Sequence, residues 1–252
     1  MNKHLLISEF LTTPWALMPE RLIAMGGVLH RWSAGEPPSD ETLFQIQSDR
    51  LLRDTRKQMA AANTGTGIAV LPLYGVVTQR GNMIDDISGP GSTSTQQFTA
   101  ALRQMLADDT VGQILIDIDS PGGSVYGVAE LATEIVKART QKPVVAVANS
   151  LAASAAYWIG CSASEFYVTP GGEVGSIGVW QAHFDYSKAL EEDGIKPTLI
   201  SAGKFKVEGN PYVPLDPEAQ AFMQSRVKCV AERLPTPSRR DWPSASKSKP
   251  RH

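Results

Sequence analysis

The stretch PVVAVANSLAASAAYWIG occupies residues 143–160 and joins an apolar, β-branched run to a cluster of small residues. The run VVAVAN at 144–149 predicts a buried strand, because it is short, apolar and bounded by residues of another kind. The small residues that follow surround Ser154 with alanines and lead into an aromatic pair. This order predicts a strand that passes directly into a short helix starting near Ala153, with a serine at the junction.

Two further buried strands are predicted before this stretch, at 68–77 and 111–119, where apolar and β-branched residues dominate. Pro72 is compatible with the first strand only near a sheet edge or a bulge. Helices are predicted after both strands, one capped by Ser94 and one over about 125–138. Because strands and helices alternate, we expect an α/β fold with a mostly parallel sheet and helices outside it.

The chain after residue 160 continues with shorter predicted elements. Asp185 or Ser187 caps one predicted helix, and Gly194 ends it. Asp216 caps another, with a proline at the first helical position. The full set comprises strands at 164–170, 176–184 and 197–203 and helices over 185–194 and 216–234.

The chain divides by composition into three parts. Residues 1–66 predict an N-terminal helical extension and linker, residues 67–226 the main domain, and residues 227–252 an atypical basic tail. The tail is rich in proline and serine, which is typical of disorder. In the extension, Thr13-Pro14 is a plausible cap and first residue of one helix, and a polar helix is predicted over about 40–62.

Composition excludes several classes of function. The chain has 252 residues and a net charge of −2. Residues 227–252 hold seven Lys/Arg against Glu232 and Asp241, a net +5, so the rest carries −7. An acidic body argues against nucleic acid as the main ligand. No apolar run reaches about 18 residues, so no membrane span is predicted. Cys161 and Cys229 have neither metal-ligand nor disulfide-framework spacing. We therefore expect a cytoplasmic protein without metal or cofactor.

Two small-residue motifs follow neighbouring predicted strands, DSPGGS at 119–124 and the stretch around Ser154. Ligands of open α/β sheets bind at the carboxyl ends of strands, so these motifs are expected to meet there. Gly122 and Gly123 lack Cβ atoms, and their N–H groups, with that of Ala155, can bind a negative oxygen. Such an oxyanion hole is one interpretation; the other is a tight turn that only packs strand on helix.

Four motifs taken in order carry a family resemblance: SPGG at 120–123, ASAAYWIG at 153–160, GSIGV at 175–179 and SAGKFKVEGNP at 201–211. As a set they resemble peptidase family S49, the serine–lysine endopeptidases similar to signal peptide peptidase, and most closely its phage branch of head-maturation proteases. The resemblance covers about 68–226, and TPWAL at 13–17 looks like the branch's N-terminal extension.

The resemblance implies a Clp protease/crotonase-like fold and a homo-oligomer without cofactor. It also implies protein substrates among phage scaffold, portal or coat proteins, in the host cytoplasm or prohead. Carried over residue by residue, it implies a nucleophile, a general base, an oxyanion hole and a lysine-orienting hydroxyl. The implied nucleophile is Ser154 and the implied general base is Lys206. The oxyanion hole would be formed by Gly122, Gly123 and Ala155, and the hydroxyl of Ser176 would orient the lysine.

The chemistry implied for Lys206 requires a neutral amine. A lysine pKa must fall from about 10.4 toward 7–8 before it can accept the serine proton, and apolar burial can lower it. The flanking Phe205 and Val207 fit that need. Lys204 is a competing base two residues away. A serine–histidine–acid triad using His183 and Asp185 is a further alternative, although Asp185 also reads as a helix cap.

Two other classes of function stay open at this point. A crotonase-like acyl-CoA enzyme would use the same oxyanion turn without needing Ser154. An inactive structural subunit of a phage head would assemble without cleaving anything. The second alternative arises because the resemblance ends near Arg226 and the remaining residues look unrelated to the family.

Overall fold

The computed structural model describes residues 13–33, 35, 67–80, 92–203 and 206–234. The predicted helix over 40–62 and most of the predicted tail lie outside these residues. In chain order the elements are β1 (Trp15–Leu17), α1 (Pro19–Ser33), β2 (Ile68–Tyr74), β3 (Val76–Thr78), β4 (Ser92–Ser94), α2 (Thr95–Ala107), β5 (Gln113–Ser120), β6 (Gly122–Ser124), α3 (Val128–Ala138), β7 (Val144–Ala153), α4 (Ala155–Cys161), β8 (Glu165–Val168), β9 (Glu173–Gly175), α5 (Ser187–Glu192) and α6 (Pro217–Ala231).

A five-stranded parallel sheet forms the centre of the fold. Its strands run in the order β2-β5-β7-β8, and β9 pairs with the carboxyl-terminal half of β7. In β5 the isoleucines at 114, 116 and 118 are fully buried and lie opposite Val144, Ala146 and Ala148 of β7. The large β5 side chains therefore meet small β7 side chains, and the predicted α/β class with helices around a mostly parallel sheet is confirmed.

A second, four-stranded sheet has the order β1-β6-β3-β4. Each of its strands is three residues long, and β3 pairs in parallel with both β4 and β6. The glycine turn predicted at 120–123 is thus partly a strand, because Gly123 lies opposite Val77 in register. This sheet brings the glycine motif next to the carboxyl end of the large sheet.

Several local predictions about the large sheet and its helices are confirmed. Ser94 is the N-cap of α2, and its hydroxyl accepts a 3.3 Å hydrogen bond from the N–H of Gln97. Pro72 lies in β2, which is at an edge of its sheet. Asp216 caps α6 by accepting a 2.7 Å hydrogen bond from the N–H of Glu218, and a proline occupies the first turn.

Other local predictions are wrong. The first helix begins at Pro19 rather than Pro14, because Trp15–Leu17 pairs as a strand and buries all three residues. The strands predicted at 176–184 and 197–203 do not form; the first contributes only an isolated antiparallel bridge between Trp180 and Trp15. The sequence pattern of these two segments resembles a strand, but a strand forms only when a neighbouring strand pairs with it, and the pattern does not identify such a neighbour.

The described chain forms two compact units. One comprises the described residues up to Trp15 together with Val179–Arg233, and the other comprises Ala16–Gly178 with Leu234. The second unit contains both sheets apart from Trp15, together with helices α1 to α4. The boundaries at residues 66 and 226 remain a prediction. Among the described helices, none combines the length and apolar character that a membrane crossing demands.

Candidate active site

Ser154 occupies the junction between β7 and α4, as the sequence predicts. Its backbone has φ 55° and ψ −113°, and its side chain is only 1% exposed. A non-glycine residue in this region of φ and ψ costs of order 1–3 kcal/mol and persists only where the surroundings impose it. A serine on a strained strand-to-helix turn is the arrangement that presents a nucleophilic hydroxyl in other α/β enzymes.

Hydrogen bonds on both sides impose this conformation on Ser154. Its N–H donates to the carbonyl oxygen of Gly175 at 2.8 Å, and its own carbonyl accepts from the N–H of Trp158 at 3.0 Å in the first turn of α4. Its hydroxyl donates to the carbonyl oxygen of Gly178 at 3.3 Å. The serine is therefore held by residues 175–178, which belong to the GSIGV motif at 175–179.

Ser176 lies in that segment and shares the backbone strain. Its φ is 52°, and among the described residues Ser154 and Ser176 are the two non-glycine residues with positive φ. Ser176 is exposed and directly follows Gly175, the register partner of Ala153. The structure thus places Ser176 beside the serine junction, while its role in orienting a lysine stays a prediction.

The glycine turn lies against the same junction. A Cβ added to Gly122 would lie 3.1 Å from Cβ of Ser154 and 2.9 Å from the carbonyl oxygen of Ala153. The N–H of Gly122 donates to the hydroxyl of Ser120 at 3.2 Å, and that hydroxyl donates to the carbonyl of Gly75 at 2.6 Å. Gly122 can therefore approach Ser154 only because it has no side chain.

Gly123 and Ala155 complete the predicted oxyanion hole. Gly123 is buried in β6, where a Cβ would lie 1.9 Å from the carbonyl oxygen of Val77. Ala155 is the first residue of α4, so its N–H has no acceptor within the helix. The binding of a negative oxygen by Gly122, Gly123 and Ala155 remains a prediction.

Ser120 is a site residue that sequence reasoning did not single out. Its side chain is fully buried, and its hydroxyl connects the glycine turn to the end of β2 through Gly75. Its position directly before Pro121 in the glycine motif was the available signal. A hydroxyl there fixes the path of the turn that faces Ser154.

Lys206 belongs to the other compact unit, with Val179–Arg233. Its side chain is exposed, so the apolar burial expected for it is not seen. Its N–H donates to the carbonyl of Gly203 at 3.3 Å. Lys204 and Phe205 lie outside the described residues. The pairing of Lys206 with Ser154 remains a prediction.

The residues of the alternative triad are engaged in local contacts. His183 Nε2 lies 3.0 Å from the carbonyl oxygen of Asn210. Hydrogen bonds from the side chain and backbone of Ser187 hold the pKa of Asp185 below its ordinary value. Asp185 accepts a 2.9 Å hydrogen bond from the N–H of Ser187, but the N-cap of α5 is Tyr186, so the predicted capping by Asp185 or Ser187 is wrong. Within the described ranges, no cluster of three or more His, Cys, Asp or Glu could hold a metal ion.

A strained, buried serine that faces a glycine turn at the head of a helix defines a site of the serine-hydrolase kind. Comparison with known families agrees with this class: residues 137–233 match the model of peptidase family S49. This is the family that the ordered motifs indicated. The match also supports the Clp protease/crotonase-like fold that the resemblance to this family implied.

Curated relatives include phage proteins. The chain is 39% identical to "Capsid assembly protease C" of Escherichia phage lambda over 179 residues, which cover 71% of this chain and 40% of that protein. It is 37% identical to "Head-tail preconnector protein GP5" of Enterobacteria phage P21, over 73% of this chain and 38% of that protein. The chain thus spans about two fifths of the length of these relatives.

A third relative comes from Methanocaldococcus jannaschii. "Putative protease MJ0651" of Methanocaldococcus jannaschii is 31% identical over 146 residues, which cover 58% of this chain and 47% of that protein.

Proposed function

We propose that the chain is a serine endopeptidase in which Ser154 is the nucleophile and Lys206 the general base. The observation that carries the proposal is the backbone of Ser154, held at φ 55° and ψ −113° between β7 and α4. If this position served only packing, glycine would adopt the same backbone angles without strain. Strained residues of this kind cluster at active sites. The match of residues 137–233 to peptidase family S49 supports the same conclusion.

The proposed reaction uses a serine, a lysine and backbone N–H groups. Neutral Lys206 removes the proton from the Ser154 hydroxyl, which attacks the substrate carbonyl to form an acyl-enzyme and expel the amine. The N–H groups of Gly123 and Ala155 stabilise the developing oxyanion, with Gly122 shaping the turn. The lysine then returns its proton to the leaving amine and activates water to release the acyl group.

Lys206 is exposed in the isolated chain, so the reaction requires it to be covered before it can act as a base. A bound protein substrate or a second copy of the chain would supply that cover. We therefore include a homo-oligomer in the proposal. The proposed substrates are scaffold, portal or coat proteins of a phage prohead in the host cytoplasm, and the similarity to a capsid assembly protease supports this choice.

Cleavage of an unfolded protein by the purified chain tests the proposal. Ser154→Ala and Lys206→Ala are each expected to lower the rate by roughly 10³-fold or more while folding is retained. Ser162→Ala is the matched serine control, because Ser162 is also buried and its hydroxyl donates to the carbonyl of Trp158 in α4. Mass analysis after treatment with a serine-directed phosphonate should show one adduct, on Ser154.

Lys204→Ala separates the two candidate bases. Retained activity in this variant together with loss in Lys206→Ala supports Lys206, and the reverse result assigns the role to Lys204. A wild-type chain that is folded but neither cleaves protein nor reacts with the phosphonate contradicts the proposal. That result would favour the structural subunit.

A further inference from the structure

The carbonyl oxygen of Ala16 and the side chain of Ser154 face the same point of the glycine turn. A Cβ added to Gly122 would lie 2.3 Å from the Ala16 oxygen and 3.1 Å from Cβ of Ser154. A backbone carbonyl of the chain itself thus lies beside the serine and its glycine turn. This is where a peptidase must hold the carbonyl of the peptide that it attacks.

The strand that carries this carbonyl closes the edge of β6. In the four-stranded sheet β6 lies between β1 and β3, so both of its edges are hydrogen-bonded. An extended peptide can join a sheet only at a free edge, where its backbone groups find partners. While β1 is paired, a second peptide therefore cannot align its backbone along β6 next to Ser154.

β1 is held by burial and by backbone hydrogen bonds. Trp15, Ala16 and Leu17 are 3%, 1% and 2% exposed. The N–H of Met18 donates to the carbonyl oxygen of Pro121 at 3.2 Å, directly before the glycine turn. Trp15 exchanges two backbone hydrogen bonds with Trp180, of 2.8 and 3.0 Å.

We propose that residues 15–18 are a built-in competitor of the substrate, which pairs with β6 and must leave before an external peptide can be cleaved. This inference rests on the proposed peptidase function. A tethered segment acts at an effective concentration that reaches millimolar. The apparent affinity for an external peptide equals the intrinsic affinity multiplied by the fraction of molecules in which the segment is displaced.

The test compares two full-length variants that receive the same new charge. Leu17→Asp places a carboxylate in the buried strand, whereas Ile23→Asp places it on α1 at a residue that is 71% exposed. Leu17→Asp is expected to cleave an unfolded protein at least about tenfold faster than wild type, and Ile23→Asp at the wild-type rate. The synthetic peptide TPWALM, residues 13–18, should inhibit Leu17→Asp more strongly than wild type.

The outcomes separate the two proposals. Equal cleavage by wild type and Leu17→Asp overturns the competitor and leaves the peptidase standing. A wild-type product that ends at Ala16 identifies the segment as a substrate and also overturns the competitor. No cleavage and no phosphonate adduct in any variant contradicts the peptidase itself.

Hydrogen exchange gives a readout that needs neither activity nor a destabilising variant. In full-length Ser154→Ala the amides of Leu17 and Met18 should exchange slowly, and saturating TPWALM should accelerate them several-fold by displacing the strand. Rapid exchange of both amides in the free protein would show that the strand is not resident and would overturn the inference. Bound peptide that leaves their slow exchange unchanged would do the same.

Discussion

The N–H of Ser154 donates a 2.8 Å hydrogen bond to the carbonyl oxygen of Gly175. This bond connects the end of β7 to β9 at the position where the chain turns into α4. The bond also links the strained serine to Ser176, which follows Gly175 and likewise has a positive φ. Two motifs separated by about twenty residues in sequence therefore form one rigid structure around the serine hydroxyl.

Replacing Ser154 by glycine should give a more stable protein than replacing it by alanine. Both variants lose the hydroxyl, but only glycine relieves the strain of a Cβ at φ 55°. After allowance for the greater backbone entropy of glycine, we expect a difference of about 1 kcal/mol in the free energy of unfolding. Urea unfolding of both variants measures it.

Ser162 provides the control for this pair. It is also buried and donates its hydroxyl to a carbonyl, but its φ is −81°. There the order should reverse, with alanine more stable than glycine by about 0.5–1 kcal/mol. The same order at both positions would show that Ser154 carries no strain.

Gly123→Ala should be strongly destabilising. The new Cβ would lie 1.9 Å from the backbone carbonyl oxygen of Val77, which cannot move without breaking the β3–β6 pairing. Overpacking typically costs 1–3 kcal/mol, and we expect about 3 kcal/mol here because backbone must shift. Thermal or urea unfolding gives the value.

Gly171→Ala is the matched control for Gly123. No atom lies within 4 Å of a Cβ at Gly171, and its φ is not in the positive range. Its free energy of unfolding should change by less than about 0.5 kcal/mol. A comparable loss in both variants would mean that the β6 contact does not cause the destabilisation.

The large sheet could be predicted from sequence because its strands carry the signal themselves. β5 and β7 are 8 and 10 residues long and apolar, and helices separate them. The small sheet could not be predicted in this way, since β1, β4 and β6 have three residues each. No periodicity exists over three residues, and their pairing depends on contacts between distant parts of the chain.

The candidate site also has features that could be predicted from sequence and features that depend on contacts between distant residues. Ser154, Gly122 and Gly123 could be placed together because they follow neighbouring parallel strands. The dihedral angles of Ser154 could not be predicted, because they result from bonds to Gly175 and Trp158. The pairing of residues 15–17 with the glycine strand was missed because Thr13-Pro14 also fits a helix start.

Lys142→Met should weaken the link between α2 and the following strands. The Lys142 ammonium donates to the carbonyl oxygens of Met105 at 3.0 Å and Asp108 at 2.6 Å, at the carboxyl end of α2. Such bonds satisfy carbonyls that lack partners within the helix, and they place positive charge at the favourable end. We expect a loss of about 1 kcal/mol, measured by urea unfolding.

Lys196→Met serves as the control for this change. Lys196 is exposed and lies outside the helices and strands, so the same substitution should change stability by less than about 0.5 kcal/mol. If both variants lose equal stability, the capping role of Lys142 is wrong.

The Arg103–Glu134 pair should make stability depend on pH. The guanidinium donates two hydrogen bonds to one oxygen of Glu134, at 2.8 and 3.0 Å, and joins α2 to α3. The hydrogen bond from Arg103 is the main reason that the pKa of Glu134 lies below its usual 4.5. A carboxyl with a lowered pKa stabilises the fold above its unfolded pKa, and this contribution disappears as the pH falls through the folded pKa.

Glu134→Gln should therefore cost stability at pH 7 and not at low pH. Since the Arg103 side chain is 65% exposed, solvent limits the cost to under about 1 kcal/mol. The difference from wild type should begin to shrink below about pH 4.5 and disappear once the carboxyl is protonated in the folded protein. A double-mutant cycle with Arg103→Gln, measured by urea unfolding from pH 7 to pH 2.5, isolates the pair. A coupling free energy that stays constant over this range would show that the charge on Glu134 does not contribute.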